Sequence, residues 1–336
     1  MKFLENISLR NYSTMRLGGD ASYLCEVHSE DDLLHALDFA QKKSLMFKVI
    51  GEGSNIIWSE HGYDGLVIVN KILKFDINGT EVTIGAGVEW DSAVAQTVDE
   101  GLSGIELLSL IPGTTGATPV QNVGAYGREI SDVLVSLRAF DAKIGDFVEI
   151  FKAECAFGYR SSRFNQADAG RFIITSITLG LSEKNPSPPF YESLQRFFDV
   201  NKVPEYTPKV VRDAVVAVRT AKLPDPDVIA NNGSFFSNPV VDFEKFELLK
   251  IKFPEIVGWN TNDGIKISAA WMIEKAGLKD FHDPDTGMAT WAAQPLVLIN
   301  ESAKTTDDLI KFRDKIINAV NEKFKITLKQ EPELVK

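Results

Sequence analysis

The run Ile111-Pro112-Gly113-Thr114-Thr115-Gly116-Ala117-Thr118-Pro119-Val120-Gln121-Asn122-Val123-Gly124-Ala125-Tyr126-Gly127 sets the first limit on how this chain can fold. Its glycines and prolines are too closely spaced for a helix interior or an unbroken strand, so a long stretch of backbone must be held as loop. Glycine lets such a loop approach a ligand closely, and its N–H groups together with the threonine hydroxyls can hydrogen-bond phosphate or the polar edge of a bound cofactor. A purely structural loop is the other reading.

Periodic segments surround the loop. Ser29-Glu30-Asp31-Asp32 offers an N-cap with an acid three positions later, and Leu33, Leu34, Leu37 and Ala40 recur at helical spacing, which predicts a helix over 30–43. Strands are predicted at 46–50 and 65–69, making an α/β unit around Gly51-Glu52-Gly53-Ser54-Asn55. From 80 to 181 strand signals dominate, at 81–84, 133–137 and 172–175, with one helix from Trp90 through Val94 and Val98. Prolines 186, 188 and 189 mark a change of composition, and Leu223-Pro224-Asp225-Pro226, after a helical stretch at 210–219, marks the better domain boundary. Beyond it come a helix near 268–276 closed by Gly277, a strand at 295–299, and an amphipathic helix carrying Leu309, Ile316, Ile317, Val320 and Phe324.

With 44% hydrophobic and 25% charged residues over 336 positions, the chain is an ordinary globular protein of two or three domains. Residues 1–13 contain no apolar signal core and no long apolar run occurs elsewhere, so a cytoplasmic protein with no membrane partner is expected. A net charge of −11 repels polyanions and no basic stripe offsets it, which excludes general nucleic-acid binding. Cys25 and Cys155 lack CxxC spacing and read as packing residues, and His28, His35, His61 and His282 have no metal-ligand spacing, so no metal is expected. Redox chemistry on an organic substrate would then need a borrowed cofactor. The segment 51–55 follows a strand as phosphate loops do, yet Ile56 stands where a dinucleotide fingerprint has its third glycine, so it is either a turn or a loop of another type.

Asn11-Tyr12-Ser13-Thr14-Met15-Arg16-Leu17-Gly18-Gly19, the 51–55 and 111–127 segments, Phe157-Gly158-Tyr159-Arg160-Ser161-Ser162-Arg163-Phe164 and Gly233-Ser234-Phe235-Phe236-Ser237-Asn238-Pro239 together resemble, in this order, the UDP-N-acetylenolpyruvoylglucosamine reductase (MurB) family. The resemblance runs from residue 11 to the end of the sequence. It implies an α+β chain with an FAD-binding fold of the vanillyl-alcohol-oxidase type and a separate α/β substrate-binding domain. Residues 1–70 with 326–336 would form one flavin subdomain, 71–222 the second, and 223–325 the substrate domain.

The same resemblance implies non-covalent FAD held by Gly51, Glu52, Gly53, Ser54 and Asn55 and by Pro112, Gly113, Thr114, Gly116, Gln121, Asn122, Gly124, Ala125, Tyr126 and Gly127. NADPH would be the hydride-donating co-substrate, a UDP-sugar the other small-molecule partner, and the product a peptidoglycan precursor needed for cell-wall growth, shape and division. Hydride addition to an enolpyruvyl group pushes charge onto the adjacent carboxylate, which calls for fixed cations and donors. Arg160 would supply a permanent positive fork, Ser234 the proton, and Glu333 assistance to the same intermediate. Apart from the resemblance, Arg160 reads as an ion-pair residue, Ser234 as a turn residue, and Glu333, with the chemically identical Glu331, as a solvated tail carboxylate.

Tyr126, Tyr159, Tyr191, Arg219, Lys222, Asn238 and Gln294 fall where the family binds its nucleotide sugar, with Lys222 a point charge for a diphosphate. The spacing from Tyr191 to Lys222 is longer than the family pattern. Trp259 stands where the resemblance leads one to expect a tyrosine, keeping an aromatic wall but losing a phosphate hydrogen bond. The chain is expected to be a monomer. Other readings are a different flavin oxidoreductase of the same fold acting on an alcohol or hydroxy acid, and a nucleotide-sugar binding protein without catalysis.

Overall fold

Ser29 starts the first helix, Glu30–Lys42, by accepting the Asp32 amide at 3.0 Å, and Glu30, Asp31 and Asp32 place negative charge in its first turn. Leu33, Ala36 and Ala40 form its buried stripe. The computed structural model describes residues 1–261 and 263–336, and contacts divide the chain into two compact units.

The first unit comprises Met1–Ile7, Ala21–Gly53 and Tyr63–Ala221. Strands Asp20–Val27 and Met46–Ile50 both pair in parallel with Tyr63–Asn70, whose uninterrupted apolar run suits a strand covered on both faces. A five-stranded antiparallel sheet has the order Asp146–Phe151, Leu134–Asp141, Phe172–Gly180, Glu81–Gly85, Phe75–Asn78. The first helix packs against both sheets, since Leu33, Ala36 and Ala40 cluster with Cys25 and Ile68 and also with Phe140 and Ile173. Glu30 reinforces that contact by accepting two Arg138 nitrogens at 2.7 and 2.9 Å and the Thr175 hydroxyl at 2.8 Å.

Helix Trp90–Asp99 buries Trp90, Val94 and Val98 against Leu137, Ile177 and Leu179. The helical stretch read at 210–219 extends over Pro208–Lys222, with proline in the first turn, where its missing N–H is harmless. Helix Glu192–Asn201 is an addition to the sequence reading. Leu194 and Phe198, one turn apart, pack on Val211, Ala214 and Val215 of the longer helix.

The second unit gathers Ser8–Asp20, Ser54–Gly62 and Lys222–Lys336. One antiparallel sheet has the order Asn231–Ser234, Gln294–Asn300, Met288–Trp291, His282–Asp283, and a smaller one joins Val240–Val241, Gly264–Ile267 and Gly258–Thr261. Glu333–Val335 pairs in parallel with Ile56–Trp58. Thr305 and Asp308 form a reciprocal capping box at the start of helix Thr306–Phe324. That helix buries Leu309, Phe312, Ile316, Val320 and Phe324 at helical spacing, each worth about 1.5–3 kcal/mol relative to exposure. A second unanticipated helix, Phe243–Lys252, buries only Phe246 and Leu249. No helix among the described residues is long and apolar enough to cross a membrane.

Candidate active site

Strand Met46–Ile50 delivers the chain into Gly51, and the two glycine-rich segments meet there. A Cβ on Gly51 would lie 2.1 Å from Thr114 Oγ1, and one on Gly116 would lie 2.4 Å from Ala86 Cβ, so both positions exclude any side chain as the loop now stands. Gly53 has φ of 73°. The loop braces itself: the amides of Thr115, Gly116, Ala117, Thr118, Val120, Asn122 and Val123 all donate to backbone carbonyls. Thr115 Oγ1 donates to Val88 O at 3.0 Å and Thr118 Oγ1 to Thr115 O at 2.8 Å. These two hydroxyls hold the loop and so differ from the expectation that they face a ligand. The amides of Gly113 and Thr114 are not among those engaged in this bracing.

At the end of the loop, Asn122 is buried in the left-handed region, φ 44°. Its Nδ2 donates to Glu129 Oε2 at 2.6 Å and Gly158 O at 3.1 Å, while its Oδ1 accepts from the Ser131 amide at 3.1 Å. Asn122 therefore clamps the loop to the Gly158–Ser161 turn, closed by two backbone hydrogen bonds. Arg160 occupies that turn with φ of 53°, donates from Nη2 to Gly124 O at 2.9 Å, and lies over the Tyr159 ring at 5.3 Å. Three of the predicted residues, Asn122, Tyr126 and Arg160, hold the left-handed conformation that non-glycine residues seldom adopt.

Tyr126 meets Tyr191 edge-on at 5.8 Å between ring centroids, and Arg219 lies close enough to its hydroxyl to oppose the effect of burial on it. Burial raises the Tyr126 pKa above the ordinary phenol value and lowers that of Arg219. Arg219 Nη2 donates to Leu110 O at 3.1 Å, and its buried Nε has no partner among the described residues. The helix carrying Arg219 is tied down through Arg212, whose two terminal nitrogens reach Asp91 at 2.7 and 2.8 Å. Asp91 also accepts the Leu110 amide at 2.6 Å. Burial alone would raise the Asp91 carboxyl, but the hydrogen bonds from Arg212 and Leu110 outweigh it and hold the group below the usual carboxylate range.

In the second unit, Ser234 is exposed at the end of its strand, opposite Val297, while Phe235 and Phe236 beside it are fully buried and anchor the segment. The tail is pinned. Glu331 N donates to Phe235 O at 2.9 Å, Glu333 N donates to Asn55 O at 2.9 Å, and the Glu333 side chain is exposed. Asn238 Oδ1 accepts the Ala269 amide at 2.9 Å. Gln294 begins a strand, Lys222 O accepts from Trp291 Nε1 at 3.0 Å, and Trp259 is partly exposed on strand Gly258–Thr261. Arg160 thus belongs to the first unit, and Ser234 and Glu333 to the second.

Sequence reasoning passed over Asn232. Buried at 6% exposure, it donates from Nδ2 to Thr14 Oγ1 and to Ser54 O, both at 3.1 Å, and its Oδ1 has no partner among the described residues. The doubled Asn231-Asn232 ahead of Gly233-Ser234 was the available signal. All four histidines are exposed, and among the described residues no group of three or more His, Cys, Asp or Glu is placed to hold a metal.

Residues 21–150 match the family model described as an FAD binding domain, and residues 225–335 match that of the UDP-N-acetylenolpyruvoylglucosamine reductase C-terminal domain. The UDP-N-acetylenolpyruvoylglucosamine reductase of Cupriavidus pinatubonensis is 38% identical over 335 residues, covering 98% of each chain. The chain belongs to the UDP-N-acetylenolpyruvoylglucosamine reductase family. The reductases of Ralstonia nicotianae, 37% identical with 97% of each chain covered, and Alcanivorax borkumensis, 39% identical with 99% of this chain and 96% of the other covered, agree. The crystal structure of the Thermus caldophilus member superposes with a TM-score of 0.69 at 21% identity, covering 100% of this chain and 98% of that one, which shows the shared fold. That fold is the vanillyl-alcohol-oxidase type of FAD-binding fold, with the family's C-terminal domain following it. The residues of the two glycine-rich segments fit a flavin, since at Gly51 and Gly116 a Cβ would collide and the backbone is left open to close approach.

Proposed function

We propose that the chain reduces UDP-N-acetylenolpyruvoylglucosamine to UDP-N-acetylmuramate with NADPH, using non-covalent FAD, in peptidoglycan precursor synthesis. The observation that carries this reading is the full-length likeness to the family's reductases, supported by the tie of Arg160 to Gly124 O at 2.9 Å. A guanidinium is thereby held beside the loop that fits the cofactor.

When bound, FAD supplies the hydride carrier between NADPH and C3 of the enolpyruvyl group. Arrival of hydride at C3 leaves an enolate-like dianion on the substrate's C2 and carboxylate. Arg160 stabilises that charge with a fork already fixed in place, so little reorganisation is needed as charge develops. Ser234 donates the proton to C2, which completes reduction of the double bond. Glu333 assists at the same intermediate, and its pinned backbone supports that role over a frayed tail. Tyr126, Tyr159, Tyr191, Arg219, Lys222, Asn238 and Gln294 bind the nucleotide sugar, Lys222 as a cation for the diphosphate. The flavin is held by Gly51, Glu52, Gly53, Ser54 and Asn55 and by the Pro112, Gly113, Thr114, Gly116, Gln121, Asn122, Gly124, Ala125, Tyr126 and Gly127 positions of the long loop. Residues 1–70 with 326–336 and 71–222 form the two flavin subdomains, and 223–325 the substrate domain. The protein works as a cytoplasmic monomer.

An absorption spectrum tests this directly. The purified protein should be yellow, release FAD on denaturation, bleach with NADPH and recover its colour on adding the enolpyruvyl substrate. A colourless protein that FAD cannot reconstitute, or a bleached one that the substrate does not reoxidise, would sink the reading.

A further inference from the structure

The side chain of Asn232 is held in one orientation. Its Nδ2 faces Ser54 O and Thr14 Oγ1 at 3.1 Å each, with Ile56 O at 3.5 Å. Reversing the amide would set its oxygen against two carbonyls that can only accept, so Oδ1 is fixed on the other side. That oxygen is buried and has no partner among the described residues, whereas the neighbouring Asn231 spends both ends internally, on Pro224 O, Ile229 O and the Gly233 amide. Buried amide oxygens are nearly always paired in folded proteins, and an acceptor left without a donor points to a group that arrives later.

Two features narrow what that group is. Asn232 is bonded to Ser54, within the 51–55 segment that fits the cofactor, and it lies two residues before Ser234 on the same strand. An amide oxygen requires a donor, and the isoalloxazine and ribityl parts of FAD carry N–H and O–H groups. We infer that Asn232 Oδ1 accepts a hydrogen bond from the flavin or ribityl portion of bound FAD. The inference rests on the flavin reading above and adds a contact that the motif resemblance did not include.

The test measures FAD dissociation from the full-length protein by recovery of flavin fluorescence, with the nucleotide-sugar affinity and the melting of the apoprotein measured alongside. Asn232→Ala and Asn232→Leu, the second of which keeps the branched side-chain shape, should each bind FAD about two- to tenfold more weakly, the range set by one neutral hydrogen bond. Nucleotide-sugar affinity should not change. Thr14→Val removes an internal partner of Nδ2 and leaves Oδ1 in place, so its FAD affinity should stay within about twofold of the unaltered protein.

Equal FAD affinity in the Asn232 variants, an equal loss in Thr14→Val, or a loss confined to the nucleotide sugar would overturn the inference. Loss of cooperative melting in both Asn232 variants would overturn it as well, since the side chain would then act through its internal bonds. If the unaltered protein bound no FAD, the flavin reading itself would fail, which is a distinct result.

Discussion

Gly51 and Thr114 are packed so that a Cβ on the glycine would come within 2.1 Å of the threonine Oγ1. The two glycine-rich segments therefore share one surface, and the absent side chain is what allows it. Gly51→Ala should lower stability by about 2 kcal/mol, as overpacking does, and weaken FAD binding. Adding Thr114→Ala should recover part of both losses, because the closest remaining atom would be Thr114 Cβ at 3.1 Å. Melting and flavin titration of the four proteins give the coupling, and strictly additive effects would show that the contact does not matter.

Ser234→Ala should retain FAD and still be reduced rapidly by NADPH, because the proposed proton transfer falls in the second half of the cycle. Stopped-flow reoxidation by the enolpyruvyl substrate should slow by several orders of magnitude, more than the loss of one neutral hydrogen bond worth about 0.5–1.5 kcal/mol. Cysteine at this position can donate a proton and should restore part of the rate. Normal reoxidation of the alanine variant would return Ser234 to the status of a turn residue.

The Asp91–Arg212 pair predicts a pH dependence of stability. The folded Asp91 carboxyl titrates below its unfolded value, so its contribution is fully present above the unfolded pKa of about 3.9 and is lost as pH falls through the folded one. Asp91→Asn should be less stable than the unaltered protein by about 2 kcal/mol at neutral pH, the scale of hydrogen bonds to a charged group. The gap should narrow below about pH 4. Denaturant titrations across pH check this, and a gap that stayed constant into acid would refute it.

Cys25 and Cys155 are buried at 1% and 0% exposure, and burial pushes their thiols up to about 12 and about 11. Neither should react with a thiol-specific disulfide reagent at pH 8 in the folded protein, and both should react once denatured. Rapid modification of the native protein would contradict their role as packing residues.

Helix Thr306–Phe324 was readable because its cap and its apolar spacing are both local, and the same holds for Glu30–Lys42. Helix Glu192–Asn201 buries only Leu194 and Phe198 and follows a proline cluster, so its stripe is too short to stand out. Composition announced the loop at 111–127, but which of its hydroxyls face inward depends on carbonyls such as Val88 O, more than 20 positions away. Nothing near Arg160 in sequence announces its left-handed backbone, which is held by the turn around it and by Gly124. Asn232 escaped notice because its partners, Thr14 and Ser54, come from distant parts of the chain.

Strand Glu333–Val335 completes its pair with Ile56–Trp58, a segment made far earlier in the chain. On a ribosome the earlier segment emerges long before its partner, so Ile57 and Trp58, both buried once folded, wait without their strand neighbour until that partner is made. Released chains truncated before residue 333 should therefore be held by chaperones that recognise unpaired apolar strands, and released chains that include residues 333–335 should not.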